Sequence, residues 1–189
     1  MDCNSITKGL VGAVCGAPAT PGTGKKVYLA TYADVDKSLS VVTSNVISDL
    51  VLKATKKAYV FESLADSAMG EATLAKETYF NVFTHALSLK VFTKSEDAKA
   101  FVNTLTGARV IAIVENREKG TDGEVKYEVY GWGSGLELAE AVGTTDMADR
   151  VVYSLKLQSN DKSKEGTLPL SLFDTDEATT DAIIASLIA

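Results

Sequence analysis

Leu87-Ser88-Leu89-Lys90-Val91-Phe92-Thr93-Lys94-Ser95-Glu96-Asp97-Ala98-Lys99-Ala100-Phe101-Val102-Asn103-Thr104-Leu105 changes its period in mid-run. Leu87, Leu89 and Val91 alternate with Ser88 and Lys90, the period-two pattern of a half-buried strand. Ala98, Phe101, Val102 and Leu105 then recur at helical spacing. Thr93-Lys94-Ser95-Glu96 between them matches a capping box, in which a hydroxyl and a carboxylate satisfy the first unpaired amides. Gly107 stands where a left-handed residue closes a helix. The run therefore predicts a strand followed by one α-helix at about 94–105, packed on a sheet through Phe101, Val102 and Leu105.

Strands extend from this point in both directions. Upstream they are expected at 27–32, 39–43, 46–53 and 58–62, and the strand ending at Phe92 begins near Tyr79. Phe80, Val82 and Phe83 fit its phase poorly, and a bulge near His85 would reconcile the two halves. Residues 63–77 hold no period and read as a long exposed loop. Loops of that length tend to be functional or mobile. Downstream, Arg109–Glu115 is rich enough in Val and Ile to be central. Val125, Tyr127 and Val129 alternate with Lys126, Glu128 and Tyr130, and Gly131-Trp132-Gly133-Ser134-Gly135 bends the chain before Leu136 and Leu138. Residues 151–158 alternate again. Residues 168–173 form a short segment that Pro169 places at a sheet edge. Asp174 or Thr175 caps a last helix at about 175–188, with Ile183, Ile184, Leu187 and Ile188 on one face.

Strands outnumber helices and do not alternate with them, so the fold class is mostly β, an antiparallel sandwich or barrel. Residues 1–24 contain Gly9, Gly12, Gly16, Pro18, Pro21, Gly22 and Gly24 and read as an extended N-terminal arm before a single domain at 25–189. Apolar residues make up 46% of the chain and charged residues 23%. That balance supports a buried core and argues against a disordered chain. The net charge of −6 argues against a clustered basic surface that grips phosphate backbones. No apolar run approaches the roughly 18 to 20 residues of a membrane span. Gly9–Cys15 is a poor export signal, because its apolar run is short and only Lys8 precedes it as a cation.

The motifs of chemistry fail one by one. Gly22-Thr23-Gly24-Lys25-Lys26 lacks two requirements of a phosphate-binding loop: Ala19 stands where Gly is needed, and Lys26 where Ser or Thr is needed. Gly131, Gly133 and Gly135 lead into a strand, whereas a dinucleotide fingerprint opens a helix. His85 is the sole histidine, and Cys3 and Cys15 show no metal-ligand spacing; their pairing in a disulfide is the alternative to two ordinary small residues. Glu62, Asp66, Glu71, Glu115, Glu118, Asp146, Asp149, Asp174, Asp176 and Glu177 each have a capping or solvation reading. No catalytic residue, cofactor or metal is expected. Tyr127, Tyr130 and Trp132 are candidates for an aromatic binding platform. Leu64, Met69 and Leu74, exposed among small and acidic residues, are candidate assembly contacts.

From about His85 to Phe173 the layout resembles the major tail tube proteins of long-tailed bacteriophages, and the whole chain resembles proteins from prophages of gut bacteria. The residues that carry the likeness are the strand Leu87–Phe92, the helix Ser95–Leu105 and the strand Arg109–Glu115. Lys126-Tyr127-Glu128-Val129-Tyr130-Gly131-Trp132-Gly133, Leu136–Leu138 and Arg150-Val151-Val152-Tyr153-Ser154-Leu155-Lys156-Leu157 complete it. The resemblance implies a non-enzymatic virion protein, assembled in the bacterial cytoplasm. It implies hexameric rings of one subunit, stacked into a tube through which DNA passes without specific binding. It also implies contacts with tape measure, terminator and baseplate proteins, with the arm and the 63–77 segment as links between subunits. The long arm and the added C-terminal helix depart from the family layout. Two other readings are a different structural phage protein (capsid decoration, head fibre or tail connector) and a surface or secreted binding module.

Overall fold

The computed structural model describes residues 22–77, 80–144 and 151–188. The expected readings of Cys3, Cys15, Asp146, Asp149 and nearly all of the arm lie outside these residues. The described elements are β1 (Thr23–Thr31), β2 (Val41–Thr43), β3 (Val46–Asp49), β4 (Tyr59–Glu62), β5 (Ala68–Lys76), β6 (Asn81–Val91), α1 (Glu96–Leu105), β7 (Arg109–Asn116), β8 (Tyr127–Tyr130), β9 (Leu136–Gly143), β10 (Tyr153–Ser159), β11 (Leu170–Leu172) and α2 (Glu177–Ile188). The fold is mostly β with two helices, as the alternation of apolar residues predicts.

One strand organises the sheet. β7 pairs with β1 along one side, while its other side is shared: Ala112–Glu115 pair with β8, and Arg109 and Val110 pair with β9. The sheet forks there. One half runs β4-β1-β7-β8-β11-β3-β2 and the other β9-β10-β6-β5. Alternation on β1 and β7 shows how both faces are used. Val27, Leu29, Val110, Ala112 and Val114 meet Leu87, Leu89, Leu155 and Leu157 of the second half, with Leu105 of α1 in the same core. Tyr28, Ala30, Ile111 and Ile113 face the opposite way, toward Ile184 and Leu187 of α2. A strand buried on both faces must be apolar at every position, which is why Val110–Val114 reads as an unbroken run.

Several expectations change. Residues 63–77 are not a loop: Ala68–Lys76 form β5, paired with β6 from Ala68↔Leu89 to Lys76↔Asn81. The inward positions Gly70 and Ala72 stay small because Gly70 lies over the Tyr130 ring and Ala72 lies opposite His85. The strand therefore lacks the large alternating side chains that announce one. The same ladder runs past His85 without a shift, so no bulge interrupts β6 there. Where β9 meets β10 the register shifts between Lys156 and Leu157. The sheet is mixed: Leu172↔Ile47 belongs to a parallel pair of β11 with β3. β11 is also interior, between β3 and β8. Pro169 tolerates this because it precedes the paired residues. β1 begins at Thr23, so the last two residues assigned to the arm belong to the sheet.

Both helix caps shift as well. Ser95, not Thr93, caps α1; its hydroxyl accepts from the Ala98 amide, while Thr93 supports Ser95. Thr106 closes the helix in right-handed geometry, and Gly107 keeps φ outside the left-handed region. Asp176 receives the Thr179 amide at the start of α2, the role expected of Asp174 or Thr175. Neither neighbour aims its oxygen at that amide.

Candidate functional site

Two of the four chain connections between the halves of the sheet meet at one buried polar cluster. Gly131–Gly135 carries the chain from β8 to β9, and residues 160–169 carry it from β10 to β11. Glu165, 2% exposed, accepts the amides of Gly133 and Ser134 at 2.6 and 2.7 Å. His85, 1% exposed, accepts the Gly131 amide at Nδ1 and donates from Nε2 to the Thr167 carbonyl. The Tyr130 ring lies edge-on to the imidazole. Burial pushes the His85 pKa down, against the opposing pull of the Glu165 charge. Gly133 has no room for a side chain, since a Cβ would lie 2.5 Å from Glu165 Oε2. No buried side-chain nitrogen or oxygen of the cluster lacks a hydrogen-bond partner, so the cluster holds the two connections together. Glu165 escapes sequence reasoning because it sits in a polar stretch and its partners lie about thirty residues earlier.

A second cluster ties α2 to the sheet. The Lys126 ammonium sits 2.8 Å from Glu177 and 2.6 Å from Asp181, and Tyr127 donates to Asp181. Burial opposes the Lys126 charge, but the hydrogen bonds to Asp181 and then Glu177 outweigh it and raise its pKa. Lys119 adds a second cation on Glu177. The position of Lys126 on a solvent-phase strand register gives no hint that it is buried.

The other candidates do not converge. Tyr127 and Tyr130 are buried in the two different cores. Trp132 packs against the α2-side core under Lys37. No aromatic platform is left on the surface by these three residues. Asp66 pairs with Arg117, Asp176 caps α2, and Glu177 serves α2 docking. Glu62 lies opposite Lys26 on the sheet, and Glu71 and Glu115 sit on β5 and β7. Glu118 accepts the Gly120 amide in the turn after β7. Among the described residues no group of three or more His, Cys, Asp or Glu is placed to hold a metal ion. No described helix is long and apolar enough to cross a membrane. No buried side-chain nitrogen or oxygen among them lacks a hydrogen-bond partner.

What remains open is the rim of the sheet. Among the described residues β5 pairs only with β6, β4 only with β1, and β2 only with β3. At the start of β5, Thr23 donates to the Ala68 carbonyl; the rest of that edge is unpaired by any described strand. Leu64, Met69 and Leu74 are all exposed along this rim. They do not form one patch. Met69 and Leu74 are an odd number of residues apart on one strand and so project to opposite faces. Leu64 lies in the turn before β5. Tyr59 and Val60 on β4, and Val41 and Val42 on β2, add exposed apolar side chains at the other edges.

The outer face of β9-β10-β6-β5 mixes polar and charged residues with exposed Met69 and Val142. Across it run Met69, Ser88, Lys156 and Glu140 in one row, and Glu71, Ala86, Gln158 and Glu137 in the next. No protein-family model, curated protein or solved structure matches this chain.

Proposed function

We propose that this protein is a structural subunit that assembles with its own copies, and that its assembly is a phage tail tube of stacked hexameric rings. The observation that carries this reading is the outer edge of the nine-residue β5, which beyond Ala68 no described strand pairs, with Leu64 exposed before it and Met69 and Leu74 exposed along it. An open edge of that length with apolar neighbours is a pairing template, and proteins that remain monomeric usually blunt such edges with charge, Pro or a bulge. β5 carries one Glu and one terminal Lys and no Pro. Pairing between a β5 edge and a different edge of the next copy is head-to-tail, and a head-to-tail contact closes into a ring when its rotation divides a circle.

The tube reading adds the outer face of β9-β10-β6-β5 as the wall of a water-filled channel. Glu71, Glu137 and Glu140 on that face are offset by Lys90 and Lys156. Phosphate finds no cluster of cations there, so DNA slides past without specific binding. The satisfied polar clusters described above favour a scaffold over an enzyme.

Electron microscopy and sedimentation of the purified protein across a concentration series test the reading. Six-fold rings or tubes are expected for the native chain. The double variant Met69→Lys, Leu74→Lys should stay monomeric with an unchanged melting temperature. A native chain that remains monomeric at high concentration, or a double variant that assembles normally, overturns it.

A further inference from the structure

We propose that His85 and the two sheet-crossing connections form an acid-sensitive latch, in which a proton on His85 releases residues 160–168 from the Gly131–Gly135 turn. The hydrogen bonds fix the argument. A backbone amide is only a donor, so Nδ1 must accept from Gly131 and cannot carry a proton. A carbonyl is only an acceptor, so Nε2 must hold the proton it shares with Thr167. The closed state therefore accommodates one neutral tautomer. A second proton sets N–H against N–H at Gly131, and the ring must leave one of its two partners.

The partners belong to different connections, so the break separates them. Gly131 opens the β8–β9 turn. Thr167 lies on the β10–β11 connection, which is held to the turn by Glu165 on Gly133 and Ser134 and by Ser134 donating to the Lys164 carbonyl, and to the β5–β6 side by the two backbone hydrogen bonds of Glu165 with Phe83 and by Lys164 on Glu77. These contacts span the only described links between β8 and β9 and between β10 and β11. Loosening them slackens two of the four connections between the halves, while residues 63–67, the α1 segment and the β7–β9 pairing still hold them together.

The groups that face the imidazole are Glu165 from the β10–β11 connection, Glu128 and Tyr130 from β8, Ser159 from β10 and Ala72 from β5. The two carboxylates favour the imidazolium, and burial opposes it more strongly. The folded pKa thus lies below the unfolded value of about 6.5. The latch is closed at neutral pH. Its stability falls as pH drops below about 6.5 and is lost on passing through the lower folded value.

Two built-in reporters make the free subunit its own assay, independent of any assembly. The chain has one histidine and one tryptophan, and Trp132 lies within the turn. Imidazole NMR on the native chain should show the Nε2–H tautomer at neutral pH and a titration midpoint below about 6.5. Trp132 fluorescence and amide exchange at 131–135 and 160–168 should change with that same midpoint. Protection there should fall about tenfold per unit of pH between about 6.5 and that midpoint, the slope of one coupled proton, and level off below it, while β1 and β7 stay protected. His85→Gln, which keeps a donor and an acceptor without titrating, should abolish the transition. A His85 midpoint at or above the ordinary value overturns the latch. So does a titration that leaves the 131–135 and 160–168 amides unmoved. If His85→Gln folds and keeps the transition, the proton acts elsewhere and the latch is equally overturned.

Discussion

A side chain on Gly70 would collide with Tyr130: a Cβ there falls 2.3 Å from the phenol oxygen and 2.4 Å from Cζ. The open edge strand thus rests directly on a core aromatic ring that is 5% exposed. Gly70→Ala must push β5 outward or tilt a buried ring. A loss of about 1–3 kcal/mol is expected, as for other overpacked interiors. Urea unfolding measures it, and a loss below about 0.5 kcal/mol would show that β5 floats freely over Tyr130.

α1 supplies an internal comparison. Leu105 is buried at 4%, whereas Phe101 is half-buried and stacks on Phe61 at 5.7 Å. Full burial of Phe101 would have put Phe101→Ala at about 3–5 kcal/mol. With one face in water, about 1–3 kcal/mol is expected, and Leu105→Ala should cost about 2–4 kcal/mol. Denaturation midpoints of the two variants decide the order. A costlier Phe101→Ala contradicts the observed packing.

Lys126→Met keeps the aliphatic stem and removes the charge that faces Glu177 and Asp181. α2 should then undock locally while the sheet survives. Hydrogen exchange should speed up through α2 and at the Ala58 amide, which donates to Leu187. β6 and β10 should be unaffected. Uniform change across the chain would mean that α2 and the sheet unfold as one unit.

Acid should act on the same joint. Hydrogen bonds from Lys119 and then Lys126 hold the Glu177 carboxyl at about 2, below its ordinary 4.5. Because the folded value is depressed, the contact stabilises fully above about 4.5 and is lost as pH falls through about 2. Amide exchange in α2, corrected for intrinsic rates, should rise progressively over that window. Lys119→Met should raise the lower end of that window and shrink the total change. A flat profile in the native chain would refute the coupling.

The β5 edge predicts a graded pattern of protection. In the free subunit, Ala68–Lys76 should show intermediate exchange, because one edge is paired to β6 and no described strand pairs the other. In an assembly the outer-edge amides should slow further, with β7 unchanged. Equal exchange of β5 in both states would remove the edge from the contact.

Local chemistry determined much of this protein from sequence alone. The alternation in Leu87–Val91 and Leu155–Leu157, the helical spacing of Ala98–Leu105, and the two-faced apolar run of Val110–Val114 each follow from neighbours in the chain. They sufficed for a mostly β fold with two helices. Tertiary structure decided the rest, wherever a residue's role depends on a distant partner. β5 was illegible because Tyr130 and His85, sixty and thirteen residues from Gly70 and Ala72, require small side chains above them. The burial of Lys126 depends on acids of α2 more than fifty residues later. Glu165 reads as one more solvated carboxylate until folding brings Gly133 and Ser134 to it. Periodicity records which face a side chain takes, and only the packed chain shows what waits on that face.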